Sequence, residues 1–168
     1  RDIYHLREKA ADGIIFSGGI IHGYETLSIL GELKDRVVVI GRHEVDFPAV
    51  LVDNMGGVGQ AVSHLLGLGH GEIGLLGGPA GSTTAMDRLT GYRNALAQNR
   101  MVLDEGRIKQ GDWTPQSGYL LGKELLQNGR RPTAIVSAND QMAFGAMNAA
   151  REMGLRIPDD LAVVGFDN

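Results

Sequence analysis

The chain has 168 residues and a formal net charge of -4, from 16 lysine and arginine residues against 20 aspartate and glutamate residues. This balance excludes a basic surface that covers the whole molecule and grips nucleic acid through its phosphates. Hydrophobic residues make up 43% and charged residues 21% of the sequence, which is typical of a folded globular chain. The sequence contains no cysteine, so disulfides, thiolate catalysis and Cys-ligated metal clusters are excluded. Apolar runs such as Val37–Ile40 are far shorter than the roughly 18 residues of a membrane span, so we expect none.

Short apolar runs rich in β-branched residues predict buried strands. Most of these runs are continuous rather than alternating, which is typical of parallel strands covered on both faces. The predicted strands are Gly13–Ser17, Val37–Gly41, Val50–Asp53, Ile73–Gly77, Arg107–Asp112, Ala134–Ser137 and Ala162–Phe166.

Apolar residues at helical spacing predict helices between the later strands. Apolar residues from Val58 to Leu66 follow a one-faced helical spacing that ends at Gly67 or Gly69. Start signals for the following helices are Ser82 or Thr83, then Thr114 with Pro115 at the first helical position, then Asp140 as a cap. Regular alternation of strands and helices predicts an α/β fold with a mostly parallel sheet and right-handed crossovers.

Both ends of the sequence predict that a longer protein continues beyond them. The chain starts at Arg1 in what reads as the last turns of a helix over Leu6–Ala11, and it stops directly after a strand. Residues 50–59 combine a strand end with a flexible turn before a helix. We therefore expect this segment to cross between two lobes.

Motifs of catalysis are absent or out of context. The run from Gly69 to Gly74 matches G-x-G-x-x-G, but it follows a helix and enters a strand, whereas a dinucleotide fingerprint follows a strand and opens a helix. The sequence has no phosphate-binding P-loop and no G-x-S-x-G nucleophile elbow. No nucleophile with an adjacent base, pair of carboxylates or metal-ligand cluster stands out. These observations favour binding without chemistry, no enzyme activity and no cofactor or metal.

Polar and aromatic residues recur at one edge of the predicted sheets, where open α/β folds bind ligands. An indole ring at this edge can stack on the apolar face of a sugar or a base, while Arg, Asn and Asp bond to hydroxyls. Taken singly, Asp167 could form a turn and Arg88 could form an ion pair at the surface. The convergence of these residues on one edge of the sheet favours a ligand site. The candidate ligand-binding residues are Ser17, Asp53, Trp113, Asn139 and Asp167 at strand ends, and Arg88 in the first turns of a helix.

An ordered series of motifs resembles the effector-binding core of LacI/GalR-family transcriptional repressors. The resemblance is collinear, covers nearly the whole chain and is strongest from Val52 onward. It rests on Val52-Asp53-Asn54, His64-Leu65-Leu66, Gly69-His70, Arg88-Leu89-Thr90-Gly91-Tyr92, Gly111-Asp112-Trp113, Ala138-Asn139-Asp140-Gln141-Met142-Ala143, Ile157-Pro158-Asp159-Asp160-Leu161 and Val163-Val164-Gly165-Phe166-Asp167-Asn168.

The resemblance implies a two-lobed, periplasmic-binding-protein-like fold that closes on a small-molecule effector. Residues 1–54 would form the later part of the N-terminal lobe and residues 55–168 most of the C-terminal lobe. Arg88 would hold ligand hydroxyls or a carboxylate, Trp113 would stack on the ligand, Asn139 and Asp167 would hydrogen-bond to it, and Ser17 and Asp53 match N-lobe and crossover positions. The residue types at these positions, Trp113 and Asn139, resemble those of sugar-binding members of the family more than those of purine-binding members.

The same resemblance implies partners for the parent protein. Operator DNA would be bound by a helix-turn-helix headpiece that is missing from these residues. A homodimer, a cytoplasmic location and no membrane association are also implied. The alternative is an extracytoplasmic sugar-binding component of an uptake transporter, which shares the fold.

Overall fold

A computed structural model describes residues 12–17, 31–32, 34–41, 46–127 and 129–167 of the chain. The helix predicted over Leu6–Ala11 lies outside the described residues. Contacts divide the chain into two compact units, residues 1–52 and residues 53–168. The boundary predicted from the sequence lies slightly later, after Asn54.

The first unit contains a parallel sheet in the strand order β1-β2-β3. In register, Ile14 pairs with Val37, and Val39 pairs with Ala49. Val37 and Val39 are buried because Phe16 and other apolar side chains pack on that face. The strands are β1 (Ile14–Ser17), β2 (Val37–Ile40), which follows a short 3-10 helix (Lys34–Arg36), and β3 (Ala49–Val50).

Strand β3 is shorter than the predicted strand over Val50–Asp53. It ends at Val50, and Asp53 instead caps the next helix by accepting a hydrogen bond from the backbone N–H of Gly56 at 2.8 Å. The cap sets the start of that helix at Asn54.

The second unit contains a wholly parallel sheet in the order β5-β4-β6-β7. The strands are β4 (Ile73–Gly77), β5 (Ile108–Gln110), which follows a short 3-10 helix (Glu105–Arg107), β6 (Ala134–Ser137) and β7 (Ala162–Val164). The helices are α1 (Asn54–Gly67), α2 (Thr83–Gln98), α3 (Pro115–Gln127) and α4 (Asp140–Glu152).

Alternate strand residues face opposite layers of helices, as expected for a sheet buried on both faces. Leu75 and Val136 lie in one buried cluster with residues of α1 and α2, whereas Leu76 and Ile135 lie in a second cluster with residues of α3 and α4. The predicted α/β class with parallel sheets flanked by helices is thereby confirmed.

The strand order creates a crevice at the carboxyl edge of the second sheet. Strands β4 and β6 are neighbours, and the helices that follow them, α2 and α4, pack on opposite faces of the sheet. Because the two connections leave in opposite directions, the carboxyl ends of β4 and β6 form the kind of switch point where α/β folds bind ligands.

Tyr92 joins α2 to the sheet through a buried hydrogen bond. Its side chain is 1% exposed, and its hydroxyl donates to the carbonyl of Ile73 at 2.9 Å. Burial, with smaller contributions from Asp104 and Glu105, raises the pKa of Tyr92 to about 12. The neutral phenol is therefore favoured in the folded state.

The stability of the fold is expected to decrease at alkaline pH because Tyr92 ionises. In the unfolded chain Tyr92 ionises near pH 10, whereas in the fold it stays neutral to about pH 12, so the stability it contributes is lost as pH rises through this window. Tyr92→Phe is expected to cost about 1 kcal/mol at neutral pH and to flatten the fall in stability between those two pKa values. Urea unfolding of both chains across this pH range measures the effect; parallel pH profiles would contradict it.

Glycines let α3 and α4 pack with their backbones in contact. A Cβ atom built on Gly145 would lie 2.9 Å from the carbonyl carbon of Gly118 and would also overlap the carbonyl oxygen of Pro115. Both obstacles are backbone atoms, so the helices themselves would have to separate.

Gly145→Ala is expected to destabilise the chain by about 1–2 kcal/mol, because this overpacking outweighs the gain in helix propensity. Gly67→Ala at the end of α1 is the matched control, since a Cβ atom there meets nothing within 4 Å. Thermal unfolding of both variants measures the difference, and equal melting temperatures would show that the close approach of the helices carries no cost.

In the part of the chain that the structure describes, no helix is both long enough and apolar enough to span a membrane.

Candidate functional site

Arg88 lies at the centre of the carboxyl edge of the second sheet and is 6% exposed. Its Nε donates to Oδ1 of Asn54 at 2.9 Å, and Nη1 donates to the carbonyl oxygen of Ala138. Nη2 forms an ion pair with Oδ1 of Asp167 at 3.2 Å. Burial lowers the pKa of Arg88 and the carboxylate of Asp167 opposes that shift, but arginine stays protonated in proteins. The interpretation of Arg88 as a surface ion pair is therefore wrong.

The segment after β7 is held against Arg88. The guanidinium carbon of Arg88 lies 3.7 Å from the ring centroid of Phe166, a stacking distance. Phe166 also covers the start of α1, where a Cβ atom on Gly57 would lie 2.6 Å from the ring. Asp140 fixes the same segment by donating its backbone N–H to the carbonyl of Phe166 at 2.9 Å.

Asp167 gives the edge its exposed charge. Its side chain is 57% exposed although it pairs with the buried Arg88, and its φ of 115° lies in the left-handed region that non-glycine residues rarely adopt. The carboxylate is therefore accessible to a ligand while one of its oxygens is anchored.

Trp113 is the chain's only tryptophan and lies half-buried in the corner between β5 and α3. Its φ is 73°, and its ring packs against Gly78 after β4, where a side chain would overlap the indole. The guanidinium carbon of Arg88 lies 5.7 Å from the indole ring. The cation and the aromatic ring therefore lie side by side at the carboxyl edge.

Hydrogen bonds on either side hold this corner in its uncommon conformation. Asp112 accepts from the hydroxyl of Thr114 at 2.6 Å and from its backbone N–H at 3.0 Å. Hydrogen bonds from the Thr114 side chain, then from the Ser117 side chain and then from the Thr114 backbone lower the pKa of Asp112 to about 2. The carboxylate is therefore charged at neutral pH. Thr114 in turn accepts from the N–H of Ser117 at 3.2 Å, which confirms its predicted role at the start of α3.

Asn139 joins the Trp113 corner to the start of α4. Its Oδ1 accepts from the N–H of Met142 at 2.9 Å, and its Nδ2 donates to the carbonyl of Trp113 at 2.9 Å. The predicted cap at Asp140 is therefore wrong: Asn139 is the N-cap, and Asp140 is the first residue of the helix. The prediction is one residue late, since the backbone of Asn139 stays extended and the helix already begins at Asp140.

The structure thus brings Arg88, Trp113, Asn139 and Asp167 together. Asp53 is exposed and caps α1, whose first residue contacts Arg88. Ser17 is the exposed last residue of β1 in the first unit.

Sequence reasoning missed Asn54 and Phe166 as partners of Arg88. The helical spacing of the sequence could have indicated Asn54. This residue lies four positions before Val58, in register with the apolar face of α1. The structure buries Asn54, Val58, Val62 and Leu65 on that face. Phe166 was counted as the end of a strand, but β7 ends at Val164 and leaves the ring free to stack on Arg88.

The described side chains at this edge are suited to binding a ligand. It offers an anchored cation, an exposed carboxylate and an aromatic face, which together suit a polar ring-shaped molecule. Among the residues with described positions, no three His, Asp or Glu side chains cluster in a way that could hold a metal ion.

Comparisons with known proteins give the family. Residues 62–168 match the family described as periplasmic binding protein-like domain. The transcriptional repressor PurR of Klebsiella pneumoniae is 38% identical over 97% of this chain and 49% of its own length. The chain therefore spans about half the length of the curated relatives it matches.

Solved structures agree. A LacI-family regulatory protein from Chloroflexus aggregans is 39% identical with a TM-score of 0.86, covering 99% of this chain and 61% of that one. The transcriptional regulator CelR in complex with cellobiose is 32% identical with a TM-score of 0.86, covering 100% of this chain and 52% of that one.

The chain belongs to the periplasmic binding protein-like domain family. It is similar over nearly its whole length to part of several LacI-family transcriptional regulators. The curated relatives are transcriptional regulators and not enzymes.

Proposed function

We propose that the chain binds a sugar as the effector of a LacI-family transcriptional regulator. The observation that carries the proposal is the pair formed by Arg88 and Trp113, whose guanidinium carbon and indole ring lie 5.7 Å apart at the carboxyl edge. A sugar ring presents an apolar face to an aromatic side chain and hydroxyls to charged groups, and Asp167 adds an exposed acceptor beside this pair.

Similarity to CelR supports a sugar as the class of effector. The structure of that regulator was solved with cellobiose, and the match covers 100% of this chain and 52% of CelR. The full set of ligand-contacting residues in this proposal is Ser17, Asp53, Arg88, Trp113, Asn139 and Asp167, with residues 1–54 and 55–168 contributing the N-terminal and C-terminal lobes.

The mechanism in this proposal is a population shift between two arrangements of the lobes. An effector that binds one arrangement more tightly favours it, whereas equal affinity for both would change nothing. In a cytoplasmic homodimer the shift would move two helix-turn-helix headpieces relative to the operator half-sites. The curated relatives are transcriptional regulators, which supports a regulator over the alternative of a transporter component.

A thermal-shift screen tests the effector class. The full chain is heated alone and with glucose, sucrose, cellobiose, glucose 6-phosphate or hypoxanthine, because a ligand that binds only the native state raises the melting temperature. We expect a sugar to give the largest shift, about 2.7 kcal/mol of added stability at a hundred times its Kd. A shift with hypoxanthine alone would overturn the proposal that the effector is a sugar. The absence of a shift with every compound would contradict the proposal that the chain binds one of these effectors.

A further inference from the structure

We propose that Asn54 is a positioning residue of the ligand site: it fixes the plane of the Arg88 guanidinium in the orientation that faces the ligand. The inference rests on the proposed function, because it concerns the same site. Oδ1 of Asn54 accepts from Nε of Arg88 at 2.9 Å, and the two residues are 7% and 6% exposed.

Three contacts together define the orientation of the guanidinium. Asn54 holds the Nε edge, the carbonyl of Ala138 holds Nη1, and the ring of Phe166 lies against one face at 3.7 Å. A planar group held along two edges and one face cannot rotate about its terminal bonds. Nη2 pairs with Asp167, whose side chain is 57% exposed, so this corner of the guanidinium lies next to the exposed carboxylate.

The structure of α1 explains why Asn54, and not its neighbour, has this role. Asp53 accepts from the N–H of Gly56 and is exposed, so its side chain serves the helix cap. Asn54 is the first helical residue and shares a buried face with Val58 and Val62. Packing along that face therefore points the amide of Asn54 at Arg88.

The chemistry of the contact makes it separable from packing. Nε of arginine needs an acceptor, and both asparagine and aspartate provide one in the same place. Asn54→Asp keeps an oxygen opposite Nε and adds a negative charge at a helix N-terminus, where it is favourable. Asn54→Ala removes the acceptor and leaves Nε buried without this partner.

The experiment has one readout without ligand and one with ligand. In ¹⁵N-labelled full chain, Arg88 Nε–H should give a proton resonance that exchanges slowly with water, because it is buried and hydrogen-bonded. We expect this protection to be lost in Asn54→Ala and kept in Asn54→Asp. Calorimetry with glucose, sucrose and cellobiose should show roughly tenfold weaker binding for Asn54→Ala and near wild-type binding for Asn54→Asp. Asn94→Ala, an exposed asparagine on α2, is the control and should change neither readout.

The outcomes separate this inference from the proposed function. Unchanged protection of Arg88 Nε–H in Asn54→Ala, or sugar binding equal to wild type, would overturn the role of Asn54 alone. Failure of Asn54→Asp to restore protection would also contradict it, since the acceptor is then present. A wild-type chain that binds none of the three sugars would overturn the proposed sugar effector and the binding part of this inference, while the exchange measurement still decides whether Asn54 positions Arg88.

Discussion

Arg88→Ala is expected to lower the free energy of unfolding by about 2–4 kcal/mol, because two buried acceptors lose their donor. Oδ1 of Asn54 and the carbonyl of Ala138 lie in residues that are 7% and 0% exposed, and each accepts from Arg88. The ion pair with Asp167 contributes little to this cost, since that carboxylate is 57% exposed and remains solvated when the arginine is removed.

Two controls separate these contributions. Asp167→Asn removes the charge of the pair but leaves both buried acceptors satisfied, so we expect a change below about 1 kcal/mol. Arg93→Ala removes an exposed arginine of the same helix, whose side chain is 44% exposed, and is expected to change stability by less than about 0.5 kcal/mol. Urea unfolding of the three variants measures the order. An Arg88→Ala chain as stable as Arg93→Ala would show that the buried hydrogen bonds are not formed.

Asn139→Ala is expected to cost about 2–3 kcal/mol, because one side chain serves both the start of α4 and the Trp113 corner. Loss of an N-cap costs about 1 kcal/mol, and the carbonyl of Trp113 loses the amide donor that now satisfies it. The left-handed backbone at Trp113, with φ of 73°, would then lose one of the contacts that hold it.

Two further variants of Asn139 divide its roles. Asn139→Ser keeps a capping oxygen but has no amide to donate to Trp113, so we expect part of the stability to return while the corner stays released. Asn139→Asp keeps the cap and places a carboxylate opposite the Trp113 carbonyl, which should disturb the corner most. Because Trp113 is the only tryptophan in the chain, its fluorescence reports the corner directly. Identical emission spectra in wild type and all three variants would contradict the role of Asn139 in holding Trp113.

Much of the fold follows from the sequence because apolar periodicity and capping chemistry are local. Ile73–Gly77 and Ala134–Ser137 are strands with the predicted bounds, since continuous apolar runs flanked by turns leave few alternatives. The start of α2 after Ser82 and of α3 at Pro115 follow from their capping residues. Errors occur at element ends, as at Asp140, because Asn139 and Asp140 are both good capping residues and the local sequence pattern does not decide between them.

The contacts within the site could not be predicted in the same way. Sequence spacing places Trp113, Asn139 and Asp167 at strand ends and Arg88 in the first turns of a helix. The approach of Arg88 to Asn54 depends on how α2 packs against α1. That packing is set by Gly91, where a Cβ atom would overlap the backbone of Met55. Such close approaches are three-dimensional and leave no local pattern beyond a glycine.

Calorimetric titration of the full chain and of Trp113→Ala with glucose, sucrose and cellobiose tests most directly whether this edge binds a sugar effector. The account predicts that wild type binds at least one of these sugars and that Trp113→Ala binds it at least roughly tenfold more weakly. The melting temperature of each chain, measured alone, shows whether Trp113→Ala is folded, and Trp113→Phe, which keeps an aromatic face, should recover part of the affinity. Equal affinity in wild type and in folded Trp113→Ala would contradict stacking on Trp113 and with it the proposed site.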